Sequence, residues 1–144
     1  STATESSLPS GAGVAAMNAA RLGYLTGDPE RINSARDAIK RHGQAIAAYP
    51  TAFCQFLLVH DFLEAKPAEL YFVGSKSDPV LMKELERWRT VWPPYRVLSV
   101  VEEEERERLT ALLPAIEGKT ARDGKPTLYI CHEGICEAPE VLSE

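Results

Sequence analysis

The period of the hydrophobic pattern changes at Lys66-Pro67, and this change limits the possible folds more than any other feature of the chain. Before it, apolar residues recur at the three- and four-residue spacing of α-helices. After it, short runs of β-branched and aromatic residues alternate with helical stretches. We therefore predict a helical segment over residues 1–66 and a small α/β segment over residues 67–144, which together give an α/β fold class with an α+β layout.

The helical segment is predicted to contain three helices, including a helical hairpin. The first begins after Ser10 in a glycine- and alanine-rich stretch that suits close helix packing, and it ends near Leu25. The second begins at Asp28-Pro29, where an N-capping carboxylate precedes a proline at the first helical position. Its apolar stripe comprises Ile32, Ala35, Ile39, His42 and Ile46. The third, over residues 51–64, is apolar on most of its faces, so we expect burial on several sides.

In the α/β segment, strands are predicted over residues 68–74, 95–101 and 127–131, and helices over residues 79–91 and 102–113. A β-α-β-α-β order of this kind favours right-handed crossovers between parallel strands. The sheet is therefore expected to have three or four strands, to be mostly parallel, with its first three strands parallel, and to end in a C-terminal hairpin.

The charge and apolar content of the chain limit its partners. The 144 residues carry a formal net charge of −5, and an acidic chain with scattered Lys and Arg argues against nucleic acids and anionic membranes as partners. No apolar run approaches the length of a membrane span, and residues 1–13 lack the basic and apolar regions of a signal peptide. We therefore expect a cytoplasmic, reducing setting, in which Cys54 is a small buried apolar residue.

Two stretches of the chain resemble a known family. They read "LPSGAGVAAMNAARLGYLTGD" near the start and "GKPTLYICHEGICEAP" near the end. Both are similar to the C-terminal region of the thioredoxin-domain-containing proteins related to spermatogenesis-associated protein 20. The resemblance implies a longer parent protein with an N-terminal thioredoxin-like domain and an (α/α)6 toroid similar in shape to sugar 2-epimerases. It also implies that any carbohydrate-related activity belongs to the complete protein.

The chain departs from the family pattern in two places. Ala12 and Gly13 stand where family members tend to carry polar Asn and Ser, so a polar role toward the toroid cavity is not expected. No W-C-x-x-C motif is present, so thioredoxin chemistry is not expected of these residues. The resemblance therefore implies a non-catalytic structural or binding segment. Its partner is the remainder of the parent protein, or a second copy bound through exposed helices.

Cys131 and Cys136 are the strongest candidates for chemistry. If Glu133-Gly134 forms a two-residue turn, the cysteines face each other as a non-hydrogen-bonded pair with Cα atoms about 4.5 Å apart. This distance is at the short edge of disulfide geometry, so a bond between them is predicted to be easily reduced. Strand alternation places His132 on the opposite face, which leaves too few ligands for zinc. Structural hairpin cysteines are favoured over a redox-responsive pair, and a metal site is the least favoured interpretation.

A second candidate site follows the first predicted strand. Ser75, Ser77 and Asp78 lie beyond the carboxyl end of that strand and just before a helix N-terminus, where anions bind in open α/β sheets. We predict them as a candidate anion or small-ligand site, although helix capping explains Asp78 equally well. His42 and His60 fall on apolar helix stripes and are interpreted as partly buried, satisfied histidines. No catalytic residue, cofactor or metal is assigned.

The alternative to a structural segment is an independent thiol-redox or small-ligand-binding module. It would use Cys131 and Cys136, or the loop at Ser75. The structural interpretation makes a prediction of its own. A segment of a longer protein is expected to expose an apolar patch on the first or the third helix, beyond the few hundred Å² that monomers normally expose.

Overall fold

A computed structural model of the chain describes residues 3–4 and 8–144. The remaining residues at the start of the predicted helical segment lie outside the described part. The chain divides into two compact units. The helical unit comprises the residues up to Tyr24 together with Asp28–Lys66, and the sheet unit comprises Leu25–Gly27 and Pro67–Glu144. In the described residues, no helix combines the length and apolar character needed to cross a membrane.

The described residues of the helical unit form three helices, α1 to α3. Their bounds are Gly11–Thr26 for α1, Pro29–Ala48 for α2 and Cys54–Glu64 for α3, and a short 3-10 turn, Pro50–Ala52, precedes α3. The predicted cap is present, because the Asp28 carboxylate accepts the first backbone N–H groups of α2. A glycine is required at position 13, because a Cβ there would lie 2.7 Å from the side chain of Gln55 on α3.

Burial within the helical unit follows the predicted stripe on α2. Ala35 is fully buried and the other stripe residues are half-buried. His42 is one of these, and its ring lies 5.1 Å from the ring of Phe56. The partly buried position predicted for His42 is therefore confirmed.

Burial of α3 differs from the prediction. Its buried residues form one face and comprise Phe56, Val59, Phe62 and Leu63. Leu57 and Leu58 are exposed, and so is His60, so the predicted burial of α3 on several sides and of His60 is wrong. Cys54 at the start of α3 is also exposed, where a buried position was predicted, and its thiol donates to the carbonyl oxygen of Thr51. The reason is geometric: neighbouring helices cover only one side of α3.

The sheet unit contains a five-stranded mixed sheet, which confirms the α/β class. The predicted number of three or four, mostly parallel strands is wrong, because a short fifth strand after the hairpin also joins the sheet and one strand pair of the four is parallel. The strands are Ala68–Val73 (β1), Arg96–Val101 (β2), Thr127–His132 (β3), Ile135–Cys136 (β4) and Glu140–Val141 (β5). Their order is β2-β1-β3-β4, and β5 also pairs with β3. β1 and β3 each have neighbours on both edges, so they are the interior strands; β1 lies between β2 and β3, and we call it the central strand.

The direction of β3 differs from the prediction. β2 is parallel to β1 as expected, but β3 is antiparallel to β1, with Thr127 opposite Val73. The helix Pro79–Thr90 (α4) has 12 residues, about 18 Å, which suffices to return along the sheet between β1 and β2. After β2 the predicted helix over residues 102–113 is replaced by a 3-10 turn and Arg106–Leu112 (α5), a helix of 7 residues. A helix of about 10 Å cannot span a six-residue strand of about 20 Å. Helix α5 alone thus cannot return the chain along the sheet, and β3 begins at the end of the sheet where β1 and β2 end, with Thr127 opposite Val73.

Both faces of the sheet are covered within the sheet unit. On one face, Leu70, Phe72 and Leu128 pack against Leu81 and Leu85 of α4. The opposite face carries a second apolar cluster, which we call the tyrosine face. Its buried members are Tyr71, Val73, Val101, Leu113, Ile116, Tyr129 and Cys131. β1 alternates between the two clusters, and the five residues Glu69–Val73 are all buried.

Candidate redox site at the C-terminal hairpin

β3 and β4 form the predicted C-terminal hairpin. His132 pairs with Ile135 and Cys131 with Cys136, so Glu133-Gly134 is the two-residue turn. Glu133 has a φ of 50° and Gly134 a φ of 81°. Positive φ at both central positions is the type I′ geometry, which matches the right-handed twist of the flanking strands. The turn therefore fixes which residues face each other across the hairpin.

The two cysteines are joined by a disulfide. The S–S distance is 2.05 Å and the Cα atoms are 3.9 Å apart. The two halves of the bond differ in exposure, since Cys131 is 1% exposed and belongs to the tyrosine face, whereas Cys136 is exposed. Cys131 therefore belongs to the core, and Cys136 lies at the surface.

A buried carboxylate lies next to this disulfide. Glu69 on β1 is 5% exposed and pairs with Cys131 across the antiparallel ladder. Directly paired residues point to the same face of a sheet, with Cβ atoms about 5 Å apart. Glu69, Cys131 and Cys136 therefore form a row across three strands, on the same face.

Glu69 is held by two hydrogen bonds. Its Oε1 accepts the backbone N–H of Gly134 at 3.3 Å, and its Oε2 accepts the hydroxyl of Tyr71 at 3.3 Å. The first bond ties the hairpin turn to the central strand. Sequence reasoning missed Glu69, and the available signal was a single acidic residue inside the apolar run "AELYFVG".

Two further polar groups are the phenol of Tyr71, on the tyrosine face, and the ammonium of Lys119, which lies over its ring. Burial raises the pKa of Tyr71, and the charge of Glu69 and its hydrogen bond raise it further. The Lys119 ammonium lies 5.0 Å from the centre of the Tyr71 ring and 5.9 Å from that of Tyr129, and it donates to the carbonyl oxygen of Ala115. These contacts place a cation over the aromatic rings.

At the second candidate site, after the end of β1, the polar side chains form hydrogen bonds within the chain. The hydroxyls of Ser75 and Ser77 are 2.7 Å apart, and Ser75 Oγ accepts the N–H of Ser77. Asp78 caps α4 by accepting the N–H groups of Val80 and Leu81. Capping therefore accounts for Asp78, and the two serines satisfy each other.

The charge around this loop is unfavourable for an anion. The Lys76 ammonium lies 2.9 Å from Glu102 and 3.1 Å from Glu105, and the hydrogen bonds raise its pKa. The N–H of Lys76 donates to Glu102 as well. Two carboxylates thus neutralise the cation that an anion would need. Anion binding at Ser75, Ser77 and Asp78 stays a prediction, and this geometry lends it no support.

Potential metal ligands are dispersed over the described residues. Within that part of the chain, no group of three or more His, Cys, Asp or Glu side chains is placed to hold a metal ion. His132 is exposed next to the hairpin turn. The groups that the structure brings together here are the disulfide of the hairpin and the Glu69 carboxylate of β1.

Comparison with protein-family models, with curated proteins and with solved structures finds no match to this chain. The resemblance to the thioredoxin-domain-containing family thus stays a prediction from the two quoted stretches.

Proposed function

We propose that this chain is a non-catalytic structural and binding segment of a longer protein. That protein would join an N-terminal thioredoxin-like domain to an (α/α)6 toroid, and this chain would form its C-terminal part. The proposal takes its family from the two stretches that resemble that family. It takes its binding role from the surface of the helical unit.

The observation that carries the proposal is the exposure of apolar side chains on α1 and α3. Val14 and Leu22 on α1 are 40% and 43% exposed, and Leu57 and Leu58 on α3 are 39% and 53% exposed. The opposite faces of both helices are buried. Each exposed leucine contributes at most about 1.5–3 kcal/mol when it is fully buried. Covering these side chains therefore favours association.

We assign the remaining helices of the toroid as the partner that covers them. An (α/α)6 toroid is built from helical hairpins, each packed against its neighbours. α1, α2 and α3 are three consecutive helices joined by short connections, as expected for the end of such an array. The sheet unit then forms the C-terminal cap of the parent chain, and any carbohydrate-related activity resides elsewhere in that chain.

The first test is the mass of the natural gene product, read from an immunoblot with an antibody against the sheet unit. A band well above 15.9 kDa supports the proposal. A single band at the mass of this chain overturns it.

The second test compares two substitutions in the full-length product. Leu58→Lys places a charge on the face assigned to the toroid, and Leu112→Lys is the matched control on α5, where Leu112 is 60% exposed. We expect Leu58→Lys to lower the free energy of unfolding of the parent by about 1–3 kcal/mol, and Leu112→Lys to change it by less than about 0.5 kcal/mol. In the isolated 144-residue chain both substitutions are expected to be neutral. Equal effects of the two in the parent would contradict the proposal.

A further inference from the structure

We propose that the Cys131–Cys136 disulfide is a thiol–disulfide exchange centre in which an external dithiol attacks Cys136 and Glu69 controls the departure of Cys131. The exchange is a stoichiometric reaction of the hairpin with an external dithiol, so it is compatible with the non-catalytic binding role proposed above and does not depend on it. It rests on the sheet unit alone.

The direction of attack follows from the difference in exposure. Cys136 is exposed at the surface, whereas Cys131 is 1% exposed and is a member of the tyrosine face. A thiolate must approach the sulfur that it attacks, so access decides which of the two sulfurs reacts. Ile135, next to Cys136, is 79% exposed and offers an apolar contact to an incoming partner. Attack is therefore directed to Cys136.

The exchange proceeds in two balanced steps. In the first, the thiolate of the dithiol forms a bond to Cys136 Sγ, the Cys131–Cys136 bond breaks, and the Cys131 sulfur leaves with the electron pair and takes up a proton. In the second, the other thiol of the reductant loses its proton and attacks its own mixed-disulfide sulfur. Cys136 then leaves as a thiolate and is protonated. The hairpin gains two electrons and two protons, and the reductant becomes a disulfide.

Glu69 acts on the first step through charge. Its carboxylate accepts hydrogen bonds from Gly134 and Tyr71 and pairs directly with Cys131. When Cys131 leaves, its negative charge develops in a buried setting, on the residue directly paired with Glu69, whose Cβ atom lies about 5 Å from that of Cys131. A like charge on a directly paired, buried neighbour disfavours the thiolate, and a poorer leaving group leaves more slowly. Glu69 is therefore a positioning residue that slows reduction.

Glu69 also holds the hairpin closed. The bond from the Gly134 N–H to Oε1 keeps the turn against the central strand, so the two sulfurs stay close after reduction. Closeness favours re-formation of the disulfide. The charge of Glu69 thus affects the rate of reduction. Its hydrogen bond to Gly134 affects the equilibrium between the reduced and the disulfide form. The two effects can be separated by substitution.

The first experiment identifies the attacked sulfur. In a Cys54→Ser background, which removes the other exposed cysteine, Cys131→Ser leaves Cys136 as the single thiol and Cys136→Ser leaves Cys131. Each is mixed with 5,5′-dithiobis(2-nitrobenzoate) under native conditions. We expect Cys136 to form the mixed disulfide at least about tenfold faster than Cys131, because access limits exchange. Equal rates, or a faster Cys131, overturn the proposal.

The second experiment uses dithiothreitol on the oxidised chain. Reduction is followed by alkylation and mass spectrometry without denaturant. After reduction Cys136 is expected to be alkylated first and Cys131 more slowly, while the far-UV circular dichroism of the chain is retained. A disulfide that resists dithiothreitol until the chain is unfolded is purely structural, and that result overturns the proposal.

The third experiment tests Glu69. Glu69→Gln keeps an acceptor for Gly134 but removes the charge, and it is expected to accelerate reduction about tenfold with little change in the reduction potential measured against glutathione. Glu69→Ala also removes the acceptor and is expected to shift the potential toward easier reduction. Glu137→Gln, next to Cys136 and exposed, is the matched control and should change the rate less than about twofold. If Glu69→Gln and Glu137→Gln behave alike, Glu69 has no role in exchange.

Discussion

The hydroxyl of Tyr71 donates a hydrogen bond to Oε2 of Glu69 at 3.3 Å, and both residues are buried on the same face of β1. Burial raises the pKa of Tyr71, and the charge of Glu69 adds to the effect. The phenol is thus kept protonated by its surroundings in the folded chain. This relationship makes the stability of the sheet unit depend on pH in the alkaline range.

We expect the free energy of unfolding of the sheet unit to fall as the pH rises above about 10. In that range the unfolded chain has lost the Tyr71 proton while the folded chain retains it, so the folded state binds more protons and stability decreases with pH. Urea unfolding at pH 9 and pH 11 measures the decrease. Tyr71→Phe removes the titrating group, so the free energy of unfolding of this variant should fall less between the two pH values. An equal loss in the variant would contradict the assignment.

Two glycine positions provide opposite predictions. Gly134 has a φ of 81° in the hairpin turn, and Gly43 lies within α2; a Cβ added at either position would meet no atom within 4 Å. Gly134→Ala is expected to cost about 1–2 kcal/mol, because an L-residue is strained in the left-handed region. Gly43→Ala is expected to stabilise α2 by about 0.5–1 kcal/mol. Chemical unfolding followed by circular dichroism measures both changes, and the same sign for both would be inconsistent with the structure.

The aspartate caps predict a matched pair of losses. Asp28 and Asp78 each accept two backbone N–H groups at the start of a helix that has proline at its first position. Replacement of either by Ala should lower the free energy of unfolding by about 1 kcal/mol, whereas Asn, which retains the acceptor, should cost much less. Thermal unfolding of the four variants tests this. If Asp78→Asn is as destabilising as Asp78→Ala, capping does not explain this residue. That outcome would favour the predicted ligand site at Ser75, Ser77 and Asp78.

The face of the sheet beneath α4 predicts the largest stability effect. Leu128 is completely buried, between β1 and α4 residues, and Leu128→Ala is expected to cost about 2–5 kcal/mol because it leaves a cavity. Leu112→Ala, at an exposed position, should cost less than about 0.5 kcal/mol. Urea unfolding monitored by the fluorescence of Trp88 and Trp92 reports on this unit. Similar losses for the two variants would show that the cluster is loosely packed.

Local signals in the sequence predicted most elements of the fold. The caps at Asp28 and Asp78, the apolar stripe of α2 and the turn at Glu133-Gly134 each depend on residues a few positions apart, and each prediction is confirmed. The predicted direction of β3 is wrong for the opposite reason. It depends on whether the chain after β2 returns along the sheet, and the apolar pattern over residues 102–113 does not reveal that α5 stops after 7 residues.

The candidate site was only half predictable. The pairing of Cys131 with Cys136 follows from alternation around a two-residue turn, so it could be deduced. The position of Glu69 opposite Cys131 depends on the register between β1 and β3, which lie far apart in the sequence. Exposure of Cys54 and His60 depends likewise on which side of α3 has a neighbour. Local patterns carry no information on such long-range contacts.

The central position of β1 has a consequence for synthesis. β1 and β2 leave the ribosome before β3, which covers the other edge of β1 and begins at Thr127. Until that residue emerges, the nascent polypeptide displays an uncovered ladder of backbone donors and acceptors along an apolar strand, which attracts other chains. Premature termination shortly before Thr127 should therefore yield insoluble product, whereas loss of the last few residues should not.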